Sequence, residues 1–273
     1  MKYIKAKDGT HLYYKDWGCG KTVLFVHGWC LHSDSWEYIM NSLCDAGYRC
    51  IAYDQRGCGR SDQPWAGYDL ETLSSDLESV INSLKLSEIT LVGHSMGCAV
   101  VSNFLATSQS TAVIKGCLIG TTTPYNKRDE TNPNGMDPDL LQVSLQAMKS
   151  DKPAYIRSLA EAFFNLSNKE CHVSLEMVDW AVAITQSANL KAAIELQRLT
   201  FNADLRNLMP KIEIPMLLQH GNADVSSPPF LTIEPSQKLL PNCRVKMYDN
   251  HAHGVQISNW EQVAKDLNEF IND

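Results

Sequence analysis

A short apolar segment followed by a Gly-x-Ser-x-Gly sequence constrains the fold of this chain more than any other feature. Residues 89–105 read ITLVGHSMGCAVVSNFL. The first few residues form an apolar run typical of a parallel strand covered on both faces, and apolar residues then return at helical spacing. Gly93 and Gly97 flank Ser95 and lack the Cβ atoms that would obstruct a sharp turn. The pattern therefore predicts a strand that turns abruptly into a helix, with Ser95 at the corner.

This corner suggests chemistry as well as structure. It would place the Ser95 hydroxyl at the carboxyl edge of a sheet, close to the unpaired amides and the partial positive charge of a helix N-terminus. Gly-x-Ser-x-Gly also occurs by chance in many chains, so the motif alone is weak. Because the expected strand and helix flank it here, we interpret Ser95 as a nucleophile.

Composition and charge make several other classes of protein unfavourable. A chain of 273 residues with 44% hydrophobic content suits one α/β domain, with room for an inserted subdomain. The net charge of -7 and the absence of a lysine or arginine cluster disfavour nucleic acid or an anionic membrane as a partner. The polar first eight residues do not resemble a signal peptide, and no apolar run is long enough to span a bilayer, so we expect a soluble, cytoplasmic protein.

The cysteines do not suggest a disulfide framework or a zinc site. Nine are scattered along the chain without a C-x-x-C pair. We therefore expect most of them to be small buried side chains.

The alternation of elements predicts the fold class. An Asp8-Gly9 hairpin opens the chain, and apolar runs then alternate with helical patterns. The predicted strands are residues 3–7, 11–17, 22–26, 49–53, 89–92, 113–119, 215–221 and 244–248. The predicted helices of this part are 33–46, capped by Ser33 or Asp34, then 69–84, the helix after Ser95, and 260–271. Crossovers of this kind give an α/β fold with a mostly parallel eight-stranded sheet flanked by helices.

The alternation breaks between residues 121 and 209. No convincing strand occurs there, and helical patterns cover residues 140–148, 154–165, 175–187 and 190–199. We predict a core domain formed by residues 1–120 and 210–273, with residues 121–209 inserted as a helical cap over the catalytic face. The glycine-rich loop 54–64 lacks the features of a phosphate-binding loop, and we interpret it as structural, pinned by a local Asp54–Arg56 ion pair.

A nucleophilic serine needs a base and an acid that orients the base. Asp224 follows one late strand and His253 follows the last, so both would reach the sheet edge that carries Ser95. His251 is an alternative base, and the H-x-H pair could also bind a metal, although no third ligand at a fitting spacing supports this. Two further histidines are interpreted as structural, His27 and His94.

Acyl transfer also needs donors for the developing oxyanion. With a serine at such a corner, these are the amide after the nucleophile and one from the loop after the third strand. They should be the backbone N–H groups of Met96 and Trp29.

Several stretches together carry a resemblance to a known family. They are Lys7-Asp8-Gly9-Thr10, Lys15-Asp16-Trp17-Gly18, His27-Gly28-Trp29, Gly47-Tyr48-Arg49, residues 54–64, Gly93-His94-Ser95-Met96-Gly97 and His253-Gly254. Through them the chain resembles the α/β-hydrolase superfamily over essentially its whole length, and within it the bacterial aryl esterases and cofactor-free haloperoxidases, also called perhydrolases.

The resemblance implies a Ser95, Asp224 and His253 triad, oxyanion donors from Trp29 and Met96, and no metal or cofactor. It favours His253 over His251 through the spacing to the closing helix. Many halogenating relatives carry proline after the tryptophan of the oxyanion loop, where this chain has Cys30, and glycine often follows the Ser-containing turn, where it has Cys98.

The functional hypothesis is therefore a serine esterase for small aryl or short-chain acyl esters, with a small-molecule ester as partner and homo-oligomerisation possible. The alternatives are a perhydrolase, a carbon–carbon bond hydrolase that uses the same triad, and a non-catalytic receptor for a small ligand on the same scaffold.

Overall fold

The computed structural model of the protein describes residues 2–168, 170 and 173–273. Its strands are β1 Tyr3–Lys5, β2 His11–Gly18, β3 Thr22–Val26, β4 Arg49–Tyr53, β5 Ile89–His94, β6 Val113–Ile119, β7 Met216–Gly221 and β8 Cys243–Tyr248. Its α-helices are α1 Glu37–Asp45, α2 Leu70–Ser83, α3 Met96–Thr107, α4 Pro138–Ser158, α5 Ala160–Phe164, α6 Leu175–Gln186, α7 Leu190–Asn202, α8 Ile233–Leu239, α9 Val255–Ser258 and α10 Trp260–Asn272. No helix in the described part of the chain is long and apolar enough to cross a membrane.

The strands form one sheet in the order β1-β2-β4-β3-β5-β6-β7-β8. β2 is antiparallel to both β1 and β4, and every pairing from β4 through β8 is parallel. This confirms the predicted eight-stranded, mostly parallel sheet. Its parallel strands all end at one edge, so the loops that follow β3, β5, β7 and β8 can meet there.

Helices cover both faces of the sheet, because successive buried residues of β3 pack into two different clusters. Val23 and Phe25 pack into a cluster with residues of α1 and α10, whereas Leu24 and Val26 pack into a cluster with residues of α2 and α3. Side chains alternate across a strand, so an uninterrupted apolar run requires two covered faces. The observed layers are therefore the reason that residues 22–26 contain no charged residue.

The prediction of how the first helix begins was wrong. Residues Ser33–Trp36 form a 3-10 turn before α1, and the ring of His32 accepts from the Asp34 N–H at 3.3 Å. The Ser33 hydroxyl and the Asp34 carboxylate instead accept from Arg60 Nη2 at 2.9 and 2.5 Å. Because Arg60 occupies both groups, neither caps the helix. By contrast, α2 begins as predicted, with Asp69 accepting from the Thr72 N–H at 2.8 Å.

The predicted local Asp54–Arg56 ion pair was also wrong. Arg56 is fully buried and donates to both carboxylate oxygens of Asp76, at 2.6 and 2.7 Å, and to Asp8 at 2.8 Å. Asp54 accepts instead from Arg60 Nε at 3.0 Å and from the Ser33 N–H at 2.8 Å. Arg56 thus connects the 54–64 loop to α2 and to the turn at Asp8, whereas Asp54 connects it to the segment that begins at Ser33.

Residues 121–209 carry α4 to α7 and, among the described residues of this segment, only isolated β-bridges. The helices predicted at 140–148 and 154–165 have other bounds in the structure. α4 begins at Pro138, continues through a kink at Asp151 and ends at Ser158, and α5 follows at once. The Asp151 carboxylate accepts from the Ala154 N–H at 2.9 Å, which restarts the helix at Pro153. We propose that this segment forms a cap, because α4, α5 and α6 contribute most of the side chains that line an apolar cavity.

Candidate active site

The turn between β5 and α3 has the geometry that its glycines allow. Ser95 has φ 53° and ψ -121°, in the positive-φ region that residues other than glycine rarely adopt. A Cβ at Gly93 would lie 2.8 Å from the carbonyl oxygen of Gly97, and one at Gly97 would lie 2.3 Å from that of Val26. Glycine is therefore required on both sides, because α3 begins directly against the backbone of β5 and β3.

Ser95, His253 and Asp224 form a continuous hydrogen-bonded chain at the carboxyl edge of the sheet. The Ser95 hydroxyl lies 2.7 Å from His253 Nε2, and His253 Nδ1 lies 2.7 Å from Asp224 Oδ2. All three residues are buried. Asp224 and Ser95 lie 29 and 158 positions before His253 in the chain. The structure brings all three together in the arrangement that activates a serine hydroxyl.

The carboxylate of Asp224 is fixed from several sides. Oδ1 accepts from the Ser227 N–H at 2.8 Å, and Oδ2 faces both His253 and His220 Nε2, the latter at 3.3 Å. Burial alone would raise the pKa of Asp224, but the facing His253 ring and these donors hold it below its usual value. Asp224 is therefore an ionised acceptor at neutral pH, able to stabilise a protonated imidazole.

The two amides predicted to bind an oxyanion lie beside Ser95. A Cβ built on Gly28 would lie only 3.0 Å from Ser95 Cβ, so the loop carrying Trp29 runs close against the serine. Within the described part of the chain, no backbone or side-chain group accepts from the N–H of Trp29, and the N–H of Met96 lies in the first turn of α3, where no helical acceptor exists. Among the residues that the structure describes, neither N–H group has an acceptor, so both can bind a ligand oxygen.

Two neighbouring histidines support the loops and are held neutral. His27 Nδ1 donates to the Gly28 carbonyl and its Nε2 accepts from the Gln55 N–H, both at 2.8 Å, and burial lowers its pKa to about 4. His94 Nε2 donates to the carbonyl of His253 at 3.1 Å, and burial lowers its pKa to about 3. These contacts agree with the structural interpretation of both.

The structure brings His253, and not His251, to Ser95. The His251 ring is half-buried, and its Nδ1 lies 3.2 Å from the hydroxyl of Ser258. In the described residues, no group of three or more His, Cys, Asp or Glu side chains could hold a metal ion, so the H-x-H pair has no third ligand beside it.

A small apolar cavity of about 70 Å³ adjoins this site. Phe163 links the two: its ring lines the cavity and lies 5.8 Å, centroid to centroid, from the His253 ring. Trp29 also lines the cavity, and its indole N–H donates to the carbonyl of Ala193 in α7 at 2.9 Å. The cavity is lined by Trp29, Leu31, Ile156, Leu159, Ala160, Phe163, Phe164, Ala181, Val182 and Thr185.

Sequence reasoning missed two residues that the structure places at the site. Phe163 is one of several apolar residues in the helix predicted at 154–165, and nothing in its spacing distinguishes it from its apolar neighbours. His220 was not predicted. It lies near the end of β7, four residues before Asp224, and that position is the only signal in the sequence that could have identified it.

Comparison with known proteins agrees with this geometry. A family model described as the α/β hydrolase fold matches residues 21–259. A non-heme haloperoxidase of Rhodococcus erythropolis is 33% identical, and the match covers 99% of both chains. A bromoperoxidase from Bacillus anthracis has a TM-score of 0.95, and an esterase from Exiguobacterium antarcticum has one of 0.94. Each of these structures is 30% identical, and each match covers 100% of this chain and 99% of the other.

Proposed function

Because this chain belongs to the α/β-hydrolase fold family, we propose that it is a serine carboxylesterase that cleaves small aryl or short-chain acyl esters. The observation that carries the proposal is the hydrogen-bonded chain from Ser95 through His253 to Asp224, at 2.7 Å for each step. The relatives named above include an esterase over the full length of the chain, which supports the same reaction class.

The mechanism follows from the positions of these groups. The Ser95 oxygen attacks the ester carbonyl while His253 Nε2 takes its proton, and Asp224 stabilises the imidazolium that forms. The tetrahedral oxyanion is bound by the N–H groups of Trp29 and Met96. The imidazolium then protonates the departing alcohol, which leaves an acyl group on Ser95.

The second half of the reaction repeats the same steps with water. His253 accepts a proton from a water molecule while the oxygen of that water attacks the acyl carbonyl. Collapse of the second tetrahedral intermediate breaks the bond to Ser95, whose oxygen recovers the proton from the imidazolium. The products are the carboxylic acid and the free enzyme.

The cavity supports a preference for small uncharged acyl groups. Its volume of about 70 Å³ is far below the roughly 300–1,000 Å³ typical of pockets for drug-sized ligands. No charged side chain lines it, and Thr185, its one polar residue, already donates its hydroxyl to the carbonyl of Ala181 at 2.8 Å. A charged acyl group would therefore lose its hydration without gaining a partner.

The proposal is tested by hydrolysis of p-nitrophenyl acetate, butyrate and octanoate, with and without a metal chelator. We expect kcat/KM to fall from acetate to octanoate, the chelator to have no effect, and Ser95→Ala to abolish turnover. Absence of turnover in the wild type would reject the esterase proposal and favour carbon–carbon bond hydrolysis or a receptor role.

Perhydrolysis is the second candidate, favoured by the haloperoxidase and bromoperoxidase names of the relatives. In it, hydrogen peroxide replaces water in attack on the acyl-enzyme and releases a peracid. Cys30 has φ 55°, which proline cannot adopt, so the oxyanion loop here differs from one that carries proline after the tryptophan. This difference favours esterase activity over perhydrolysis. Formation of peracid from acetate and peroxide faster than ester hydrolysis would instead favour perhydrolysis.

A further inference from the structure

His220 is a buried histidine that the mechanism above does not use. It lies at the end of β7, and its side chain has no exposed surface. Its Nε2 is 2.9 Å from the carbonyl oxygen of Ser227 and 3.3 Å from Asp224 Oδ2. The second of these is the same oxygen that accepts from His253 Nδ1 at 2.7 Å.

These contacts fix which ring nitrogen carries the proton. A carbonyl oxygen can only accept, so Nε2 must be the protonated nitrogen, and its N–H donates to the Ser227 carbonyl. Asp224 Oδ2 lies beside this hydrogen bond, 3.3 Å from the same nitrogen. In the described part of the chain Nδ1 has no hydrogen-bond partner, and burial lowers the pKa of the ring, so the group is neutral. His220 therefore donates one N–H to the loop that follows Asp224 and carries no charge.

We propose that His220 is a positioning residue for the triad: its Nε2–H holds the carbonyl of Ser227, the residue whose own N–H binds Asp224 Oδ1. This inference rests on the proposed function, since it concerns the same reaction. Asp224 Oδ1 is then held by a residue that His220 fixes, while Oδ2 accepts from His253, so both oxygens keep the carboxylate facing the imidazole.

Removing this donor has two separable consequences. The carboxylate loses one restraint, so fewer molecules hold His253 in the productive orientation and kcat falls. When the Ser227 N–H is no longer held against Oδ1, the carboxylate also becomes a stronger acceptor, so it stabilises the imidazolium more and the acid limb of the kcat/KM profile moves to higher pH. The titratable groups that face His253 and His220 are Asp224, from the loop after β7, and His94, from the end of β5.

The variants His220→Gln and His220→Met separate a donor from mere bulk. The distal amide of glutamine can place an N–H near the position of Nε2, whereas methionine fills similar space without a donor. His220→Met should lower kcat by about tenfold with little change in KM, and should move the acid limb to higher pH, whereas His220→Gln should stay within about threefold of the wild type. The downfield proton resonance of the His253–Asp224 hydrogen bond should shift in His220→Met and not in His220→Gln.

A purely structural role would give a different result. Equal loss of activity in both variants, or an acid limb and a downfield resonance that stay in place in His220→Met, would overturn the proposal. If His220→Met does not fold, His220→Asn takes its place, since its shorter amide cannot reach the Ser227 carbonyl. The resonance is observed without substrate, so it tests the position of His220 even if the wild type proves not to be an esterase; loss of turnover in Ser95→Ala tests the esterase function separately.

Discussion

The backbone of Ser95 has a conformation that residues other than glycine rarely adopt, and hydrogen bonds from its surroundings hold it there. The Ser95 N–H donates to the carbonyl of Ile119 at 3.0 Å, and the Ser95 carbonyl accepts from the Cys98 N–H at 2.9 Å and from the Thr122 hydroxyl at 3.2 Å. Conformations of this kind cost about 1–3 kcal/mol and persist where the surrounding structure fixes them, often at functional sites. Here the strained turn presents the hydroxyl directly to His253.

Substitution of the two neighbouring histidines separates the proposed base from its alternative. His253→Ala should lower kcat of p-nitrophenyl acetate hydrolysis by at least about 10³-fold, because Ser95 loses its base. His251→Ala serves as the matched control and should retain most of the activity, since its ring contacts Ser258 rather than Ser95. Equal losses in the two variants would argue against the assignment of His253.

Asp224→Asn tests the role of the carboxylate without changing the size of the side chain. An amide in this position can donate to His253 Nδ1 and so favours the wrong tautomer, which should lower kcat by roughly 10³–10⁴-fold with KM little changed. The measurement is steady-state kinetics at the pH optimum, with Asp249→Asn, on the exposed surface after β8, as control. An Asp224→Asn variant with near wild-type kcat would exclude Asp224 from the triad.

At the scale of elements, α5 is connected to the loop that carries His253. The carbonyl of Phe163 accepts from the Gly254 N–H at 2.7 Å, while the Phe163 ring contacts the rings of His253 and His94 and lines the cavity. A Cβ at Gly254 would lie 2.3 Å from the Phe163 ring, so the two segments pack without spare room. Cavity shape and the position of the proposed base therefore depend on the same residue.

Phe163→Ala should change the acyl preference. Removing the ring enlarges the cavity, and each buried CH₂ contributes about 0.8 kcal/mol, so the octanoate to acetate ratio of kcat/KM should rise by about tenfold or more. Phe230→Ala is a suitable control because Phe230 is 58% exposed and lies outside the cavity. An unchanged ratio in Phe163→Ala would mean that the acyl chain does not enter this cavity.

The elements differ in how far the sequence alone predicts them. Strands β3, β4 and β6 have the predicted bounds because each ends in four consecutive buried, uncharged residues, a signal contained within the strand itself. The short helices α8 and α9 were not predicted, since stretches of 7 and 4 residues are too short to show a helical period. The triad could be proposed from strand ends and chain order, whereas the partners of Arg56 could not, because they lie 20 and 48 residues away.

For the whole molecule, buried neutral histidines should make stability depend on pH. Burial lowers the pKa of His27 to about 4 and that of His94 to about 3, from an ordinary value of 6.5. Since the unfolded chain binds these protons more tightly, the contribution of each ring to stability is complete above pH ~6.5 and is lost as pH falls towards the folded-state pKa. Each ring should lower the free energy of unfolding by up to about 1.4 kcal/mol per pH unit in that window.

Denaturant unfolding between pH 7 and about pH 4.5 measures this slope. In His27→Gln the side-chain oxygen can still accept from the Gln55 N–H but does not titrate, so the slope should be smaller by about one proton. His11→Gln is the control, because it removes a histidine whose exposed ring pairs with Asp62 at the surface. An unchanged slope in His27→Gln would contradict burial of a neutral ring.

The proposed acyl-enzyme on Ser95 is tested most directly by trapping it. Protein mixed with p-nitrophenyl acetate, quenched in acid and analysed by intact-mass and peptide mass spectrometry should carry one acetyl group on the peptide containing Ser95, and Ser95→Ala should carry none there. Turnover without an acetylated Ser95 peptide, or turnover that persists in Ser95→Ala, would contradict the proposal that this serine is the nucleophile.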